Sequence, residues 1–456
     1  MVLKTSQRMA VSDGNNFPFI RSSIFISGFI SYHCLWICWK YLLPDISVSS
    51  VSRFHDTIIA EPGDMFESLL FRRQAPKTHP AFHFFSANIV FFENFPFWGE
   101  SDSRRLDRMK NIRIQGVGTA VPEHVCDQEH VRQVVRGLFS GSVKSLDRLL
   151  RVFDHLHISQ RHLVREPQWY AEHHTFSETN SVYAETATIL SRQAGIKALE
   201  RAGVEAKALG GIVVASSTGL MTPSLDAVLM QEIGLAPEAL RLPLFGLGCA
   251  GGVSGLARAA EISSVISAPI LFIAVEISSV TFQRNDLSKA NLIGTSLFAD
   301  GAAAVVVGEE GEGLEIAGSF HRLFDNTRDI MGWDFTDTGM KVLFSRSIPA
   351  FVREHIPAAI EAACRKWDIS PAEIVSFVTH PGGAKVLEAF SEVIGRPAEY
   401  LAASYRVLRD YGNMSSPTVL FVLDDMLTNG GVKPGLTLMS ALGPGFSYDQ
   451  LLLKKI

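Results

Sequence analysis

The chain has 456 residues, a formal net charge of -5, 47% hydrophobic and 20% charged residues. This is the balance of a globular protein with a sizeable core, long enough for two domains or one large duplicated one. The negative charge, with no basic run interleaved with aromatics, argues against a nucleic-acid partner. Residues 1–108 are rich in Phe, Ser and His and show no clear hydrophobic period. Within them Ile24 to Leu43 is apolar but interrupted by Ser27, Ser31, His33 and Lys40. Its length of about 20 residues meets the requirement for a membrane span, and its polar content weakens that reading. No small-residue cleavage site follows, so a signal peptide fits poorly. At Met109 the character changes to an alternating strand and a Gly/Pro turn, Ile112 to Pro122. The simplest expectation is that translation starts at or near Met109, with 1–108 an irregular extension. The rival reading is a genuine anchor or targeting segment.

From Met109 onward strands alternate with helices. Ser181–Ala202 carries apolar residues at three- and four-residue spacing and predicts a helix. Gly211–Ser216, Ile270–Val275 and Ala302–Gly308 read as buried strands, and a helix begins at Cys249 and runs to about Ser264. The second half begins near Gly311. It predicts helix Ile348–Trp367, strand 374–379, helices 384–394 and 417–428, and strand Leu436–Ala441. Alternation of this kind argues for an α/β architecture.

Five cysteines, Cys34, Cys38, Cys126, Cys249 and Cys364, are too few and odd in number for a disulfide framework. Cys34 and Cys38 lack a matching second pair, so no metal site is expected. Cys249 is the distinctive one. It lies in Gly246-Leu247-Gly248-Cys249-Ala250-Gly251-Gly252, after an extended Arg241–Phe245 and before a run of small helix formers. A thiol at such a strand-to-helix turn meets the positive end of the helix dipole, which can lower its pKa from about 8.5 into the range 3.5–7.5. Taken alone it could equally be a core cysteine. His380, in Thr379-His380-Pro381-Gly382-Gly383, sits where a strand gives way to a loop, and Asn413, in Gly412-Asn413-Met414-Ser415-Ser416, precedes an apolar helix. Each has a bland reading, a satisfied loop histidine and a cap or turn residue. Together, Cys, His and Asn at element edges form the set that thiol acyl chemistry needs. Gly248-Cys249 and Gly412-Asn413 also form a faint internal echo, each opening a small-residue helix in its own half.

With Gly443-Pro444-Gly445-Phe446 near the C-terminus, these segments resemble the type III polyketide synthases of the chalcone-synthase superfamily, over about residues 109–456. The resemblance implies a duplicated thiolase-like αβαβα fold, with halves at 109–310 and 311–456, and a cytoplasmic homodimer. It implies that Cys249 accepts a starter from an acyl-CoA, that His380 holds Cys249 as thiolate, and that His380 and Asn413 promote decarboxylation of malonyl-CoA. It requires no metal or organic cofactor. Phe298 matches a gatekeeper between coenzyme A tunnel and cavity. Arg148 and Arg151 match two residues that hold coenzyme A phosphates, and His155 stands where plant members carry lysine. Three positions depart from plant members: Val342 replaces a second gatekeeper phenylalanine, Trp333 replaces a cavity glycine, and Thr281 shapes the cavity floor. The Gly332-Trp333-Asp334 segment is more similar to bacterial members that make alkylpyrones or alkylresorcinols, which implies a fatty-acyl starter. The alternatives are a ketoacyl synthase that initiates fatty-acid synthesis and, from residues 24–43 alone, a membrane-bound scaffold without catalysis.

Overall fold

The computed structural model describes residues 112–140, 146–345 and 347–455. The 1–108 segment, its 24–43 stretch and the expected start at Met109 lie outside these residues. Thirteen strands are described: β1 (Arg113–Ala120), β2 (His124–Asp127), β3 (Gln160–Leu163), β4 (Gly211–Ala215), β5 (Leu240–Leu244), β6 (Ile270–Ile277), β7 (Asp300–Gly308), β8 (Leu314–Leu323), β9 (Met331–Thr336), β10 (Gly339–Phe344), β11 (Ile374–Thr379), β12 (Gly435–Gly443) and β13 (Ser447–Lys455). The α-helices are α1 (Gln128–Phe139), α2 (Leu146–Leu150), α3 (Phe176–Ala202), α4 (Leu225–Ile233), α5 (Gly251–Ile266), α6 (Lys289–Leu297), α7 (Ile348–Trp367), α8 (Ala384–Ile394), α9 (Ala402–Tyr411) and α10 (Thr418–Thr428).

Nine strands form one mixed sheet in the order β11-β12-β13-β8-β1-β7-β6-β4-β5. Strands β5, β4 and β6 run parallel, as do β11 and β12, and the middle pairs are antiparallel. The two halves of the chain meet at β1 and β8 through only two paired positions, Arg113↔Glu315 and Ile114↔Leu314. Helices α5 and α10, one from each half, share one core cluster with residues of both half-sheets. Helix α3 packs on the other side of β1, β6 and β7, whereas α7 and α8 cover the second half. This is the layered α/β arrangement of the thiolase-like fold.

Burial on both faces explains why β6 and β7 read as unbroken apolar runs: every residue in each is buried. Helix α3 starts at Phe176, earlier than its apolar period predicts. Its start is a capping box, in which the Glu178 N–H donates to Thr175 Oγ1 at 3.3 Å and the Thr175 N–H to Glu178 Oε2 at 2.7 Å. The paired hairpin β9–β10 was missed by the periodicity. Its turn residues, Asp337-Thr338-Gly339, were the available signal.

Candidate active site

Cys249 lies in a tight turn, Gly248–Ala250, that leads from β5 into α5. That start packs against the start of α10. A Cβ on Gly252 would lie 2.2 Å from the Ser416 carbonyl oxygen and 2.7 Å from Val419, so only glycine permits the approach. The same turn abuts the end of β12, where a Cβ on Gly443 would fall 2.4 Å from Ala250 Cβ. His380 follows β11 on the neighbouring strand, and its N–H donates to the Ser440 carbonyl of β12 at 2.9 Å. Asn413 bridges to Phe298: its N–H donates to Leu297 O at 3.0 Å, and the Ala299 N–H donates to Asn413 O at 2.9 Å. The sheet end and the two central helix starts thus gather Cys249, His380 and Asn413 in the interior, at 6%, 5% and 1% exposure.

The thiol Sγ donates to Ser415 Oγ at 3.4 Å. Ser415 itself has a left-handed φ of 62°, and its N–H donates to Asn413 Oδ1 at 2.8 Å. A non-glycine residue there stores on the order of 1–3 kcal/mol, held by its surroundings. The strain orients the Asn413 amide and the serine hydroxyl around the sulfur. Neither ring nitrogen of His380 has a hydrogen-bond partner among the described residues. A buried imidazole with two free nitrogens is costly unless something completes it, which is the signature of a group kept open for substrate.

Burial works against the expected acidic thiol. Desolvation pushes Cys249 up to about 11, against the hydrogen bond it shares with Ser415, and nearby Glu276 adds to the rise. The same desolvation lowers His380 to about 3. Both shifts disfavour the charged forms of the thiol and the imidazole. The helix start is real, but its dipole is outweighed by the loss of water around the sulfur.

Glu276, in β6, is a member of the site that the sequence reading did not find. It accepts hydrogen bonds from the Ser217 N–H at 2.9 Å, Thr218 Oγ1 at 2.8 Å and Ser416 Oγ at 2.9 Å. Desolvation raises its carboxyl to about 7 against all three donors.

Two cavities approach this centre, and neither is lined by Cys249 itself. The first lies between α1, α6 and the β9–β10 hairpin. Phe298, Thr281, Trp333 and Val342 all line it. Val342 and Trp333 are direct cross-strand partners. The apolar wall of α1, Val131, Val134, Val135 and Leu138, was not found from sequence. The second cavity, about 1210 Å³, is a mouth lined by Arg148, Arg151 and His155 together with Lys289 and Lys385, also not found. Lys289 opens α6, and Lys385 lies in the first turn of α8. Cations and helix N-termini both favour phosphate. Phe344 lines the mouth, and its ring meets that of Phe298 edge-on at 6.5 Å.

Residues 101–311 match the family model for the N-terminal domain of chalcone and stilbene synthases, and 315–456 match that for the C-terminal domain. The chain belongs to the chalcone and stilbene synthase family, the type III polyketide synthases. A Bacillus subtilis (strain 168) protein, provisionally named a chalcone synthase, is 40% identical over 74% of this chain and 97% of its own length. An alpha-pyrone synthesis polyketide synthase-like protein of Mycobacterium tuberculosis is 27% identical over 74% of this chain and 90% of its own. The crystal structure of 1,3,6,8-tetrahydroxynaphthalene synthase from Streptomyces coelicolor A3(2) superposes with a TM-score of 0.72 at 27% identity, covering 75% of this chain and all of that one. The protein is therefore an acyltransferase-type enzyme of a family that acts on acyl-CoA and malonyl-CoA. The ketoacyl-synthase and scaffold readings have no support from these matches. Among the described residues no helix is long and apolar enough to cross a membrane, and no cluster of His, Cys, Asp or Glu is placed to hold a metal ion.

Proposed function

We propose that the enzyme extends a fatty-acyl starter with malonyl-CoA units and releases pyrones or resorcinols bearing an alkyl tail. The observation that carries this reading is the apolar cavity behind Phe298, walled by valines and Leu138 of α1. The mycobacterial relative's name, with its alpha-pyrone product, supports the same product class.

The chemistry starts from the uncharged forms that burial favours. Arg148, Arg151, His155 and the two mouth lysines hold the phosphates of coenzyme A. As Cys249 Sγ attacks the starter carbonyl, a free nitrogen of His380 takes the thiol proton. The C–S bond to coenzyme A then breaks, and its thiol leaves with that proton. Malonyl-CoA follows. Its carboxylate leaves as carbon dioxide, and the electron pair of that bond becomes an enolate, held by the His380 ring N–H and the Asn413 amide. The enolate carbon attacks the acyl thioester, and the Cys249 sulfur leaves. Decarboxylation makes the carbanion, so no metal or organic cofactor is needed. In a dry site such hydrogen bonds gain strength.

A homodimer is part of this proposal. Strand β5 is an unpaired sheet edge among the described residues, with its Leu240 and the following Phe245 at 41% and 53% exposure. Unpaired edges of this kind invite another copy. Light scattering gives the assembly state. Incubation with acyl-CoA and malonyl-CoA, without carrier protein, followed by mass spectrometry, tests the reaction. Preference for coumaroyl-CoA, or indifference to chain length, would sink the fatty-acyl reading.

A further inference from the structure

Arg161 stands in β3 and is 2% exposed. It is a buried cation far in sequence from the catalytic set. Its Nε donates to Gln128 Oε1 at 2.9 Å, and its Nη1 donates to Thr295 O at 2.7 Å and Phe298 O at 2.6 Å. Gln128 Nε2 in turn donates to Ser296 O at 2.7 Å. The remaining carbonyl of this stretch, Leu297 O, accepts from the Asn413 N–H. Every carbonyl from Thr295 to Phe298, at the end of α6, is thus gripped from outside the helix. That end carries the negative pole of the helix, where a cation is favourable.

The grip reaches Asn413 by a second route. Gly412 has a φ of 71°, and a Cβ placed there would lie 2.8 Å from Arg161 Cγ and 3.0 Å from its Cδ. The stem of Arg161 therefore bears directly on the residue before Asn413. Its guanidinium holds Phe298, which pairs with Asn413. The buried Asp300 carboxylate, itself held by the Val164 and Ser279 N–H groups and the Ser279 hydroxyl, is one of the groups whose charge favours the guanidinium.

We propose that Arg161 is a positioning residue for chain extension: through the α6 end and Gly412 it fixes the Asn413 amide. It acts on malonyl decarboxylation and not on loading of Cys249. This rests on the reading of Asn413 as an enolate donor.

Two reactions separate the roles: single-turnover acylation of Cys249 by lauroyl-CoA, followed by mass spectrometry, and steady-state decarboxylation of malonyl-CoA. Arg161→Lys keeps a charge but loses the fork. A displacement near 1 Å costs on the order of 100-fold. The variant should lose roughly 10- to 100-fold in kcat for decarboxylation, with KM and the acylation rate within about threefold of wild type. Placed on Asn413→Ala, the same substitution should cost almost nothing further, because the group it positions is gone. Should Arg161→Lys not fold, Gln128→Met removes the neighbouring grip and should give the same split at smaller size. Loss of loading and decarboxylation together overturns the inference, as does full additivity with Asn413→Ala or an unchanged kcat. If Asn413→Ala itself decarboxylates normally, the reading of the site fails instead, whatever Arg161 does.

Discussion

Replacing Val342 with Phe should shorten the starters the enzyme accepts. Val342 lies in β10 opposite Trp333, at 8% exposure, on the wall of the apolar cavity. A Cβ on Gly294 of α6 would come within 3.4 Å of its Cγ1, so a larger side chain has little room except towards the cavity. The added ring takes the space of about two methylenes, and each buried methylene contributes about 0.8 kcal/mol. The longest productive starter should therefore lose about 1.6 kcal/mol, or about 15-fold in kcat/KM, whereas starters too short to reach the ring should lose little. The assay is competition among acetyl-, hexanoyl-, lauroyl- and palmitoyl-CoA, with products resolved by mass. Wild type should rise with length until the cavity is full, and Val342→Phe should peak earlier. A uniform fall at all lengths would refute the argument, because it would place Val342 in the gate and not on the acyl wall. Trp333→Gly supplies the reverse perturbation and should lengthen the optimum.

Other outcomes follow from burial. Because the Cys249 thiol is pushed up to about 11, inactivation of the free enzyme by iodoacetamide should climb steadily from pH 7 to 10. A plateau below pH 7 would reveal a standing thiolate–imidazolium pair. His380→Ala and Asn413→Ala should each slow malonyl-CoA decarboxylation by about 100- to 1,000-fold, the usual cost of one oxyanion donor, as read by release of carbon dioxide. Cys249→Ala should abolish extension while retaining part of that decarboxylation. Glu276 is raised from 4.5 to about 7, so its contribution to stability is full below about pH 4.5 and is lost as pH rises through 7. The loss is on the order of 3 kcal/mol, and Glu276→Gln should flatten thermal melting between pH 5 and 8. Asp300, raised to about 6, leaves a residual slope of the same sign.

Much of the fold was legible because its elements carry local signals. Strand β11 and helices α7 and α8 occur where their apolar patterns place them, and Cys249 does lie at a strand-to-helix turn. The acidity of that thiol was not legible. A helix dipole is a local property, whereas desolvation depends on how the halves close over the sulfur, and here desolvation wins. The cavity shows the same division. Trp333 and Val342 could be compared with relatives, but the α1 wall comes from a segment more than 150 residues upstream. Arg161 shows it most clearly: its partners are Gln128, Thr295, Phe298 and Gly412, and no sequence period joins those four.

Phe298 lines the apolar cavity and its ring meets that of Phe344, which lines the cationic one, and on the proposed reading that division lets one small centre handle a bipartite substrate. The mouth offers cations and two helix starts, which suit phosphates and remain wet. The inner cavity offers valines, leucine and tryptophan, which suit hydrocarbon and exclude water. In the proposed reaction a starter threaded past Phe298 would leave its charged carrier in the mouth and its acyl tail in the apolar cavity. Dryness at the buried catalytic set has two consequences. It disfavours the charged forms of Cys249 and His380. It also lets the ring of His380 and the amide of Asn413, both already desolvated, hold an enolate without first shedding water. A wetter site would make the thiol more acidic and weaken both donors. The burial that makes Cys249 a poor nucleophile at rest is therefore the condition for decarboxylation at the next step.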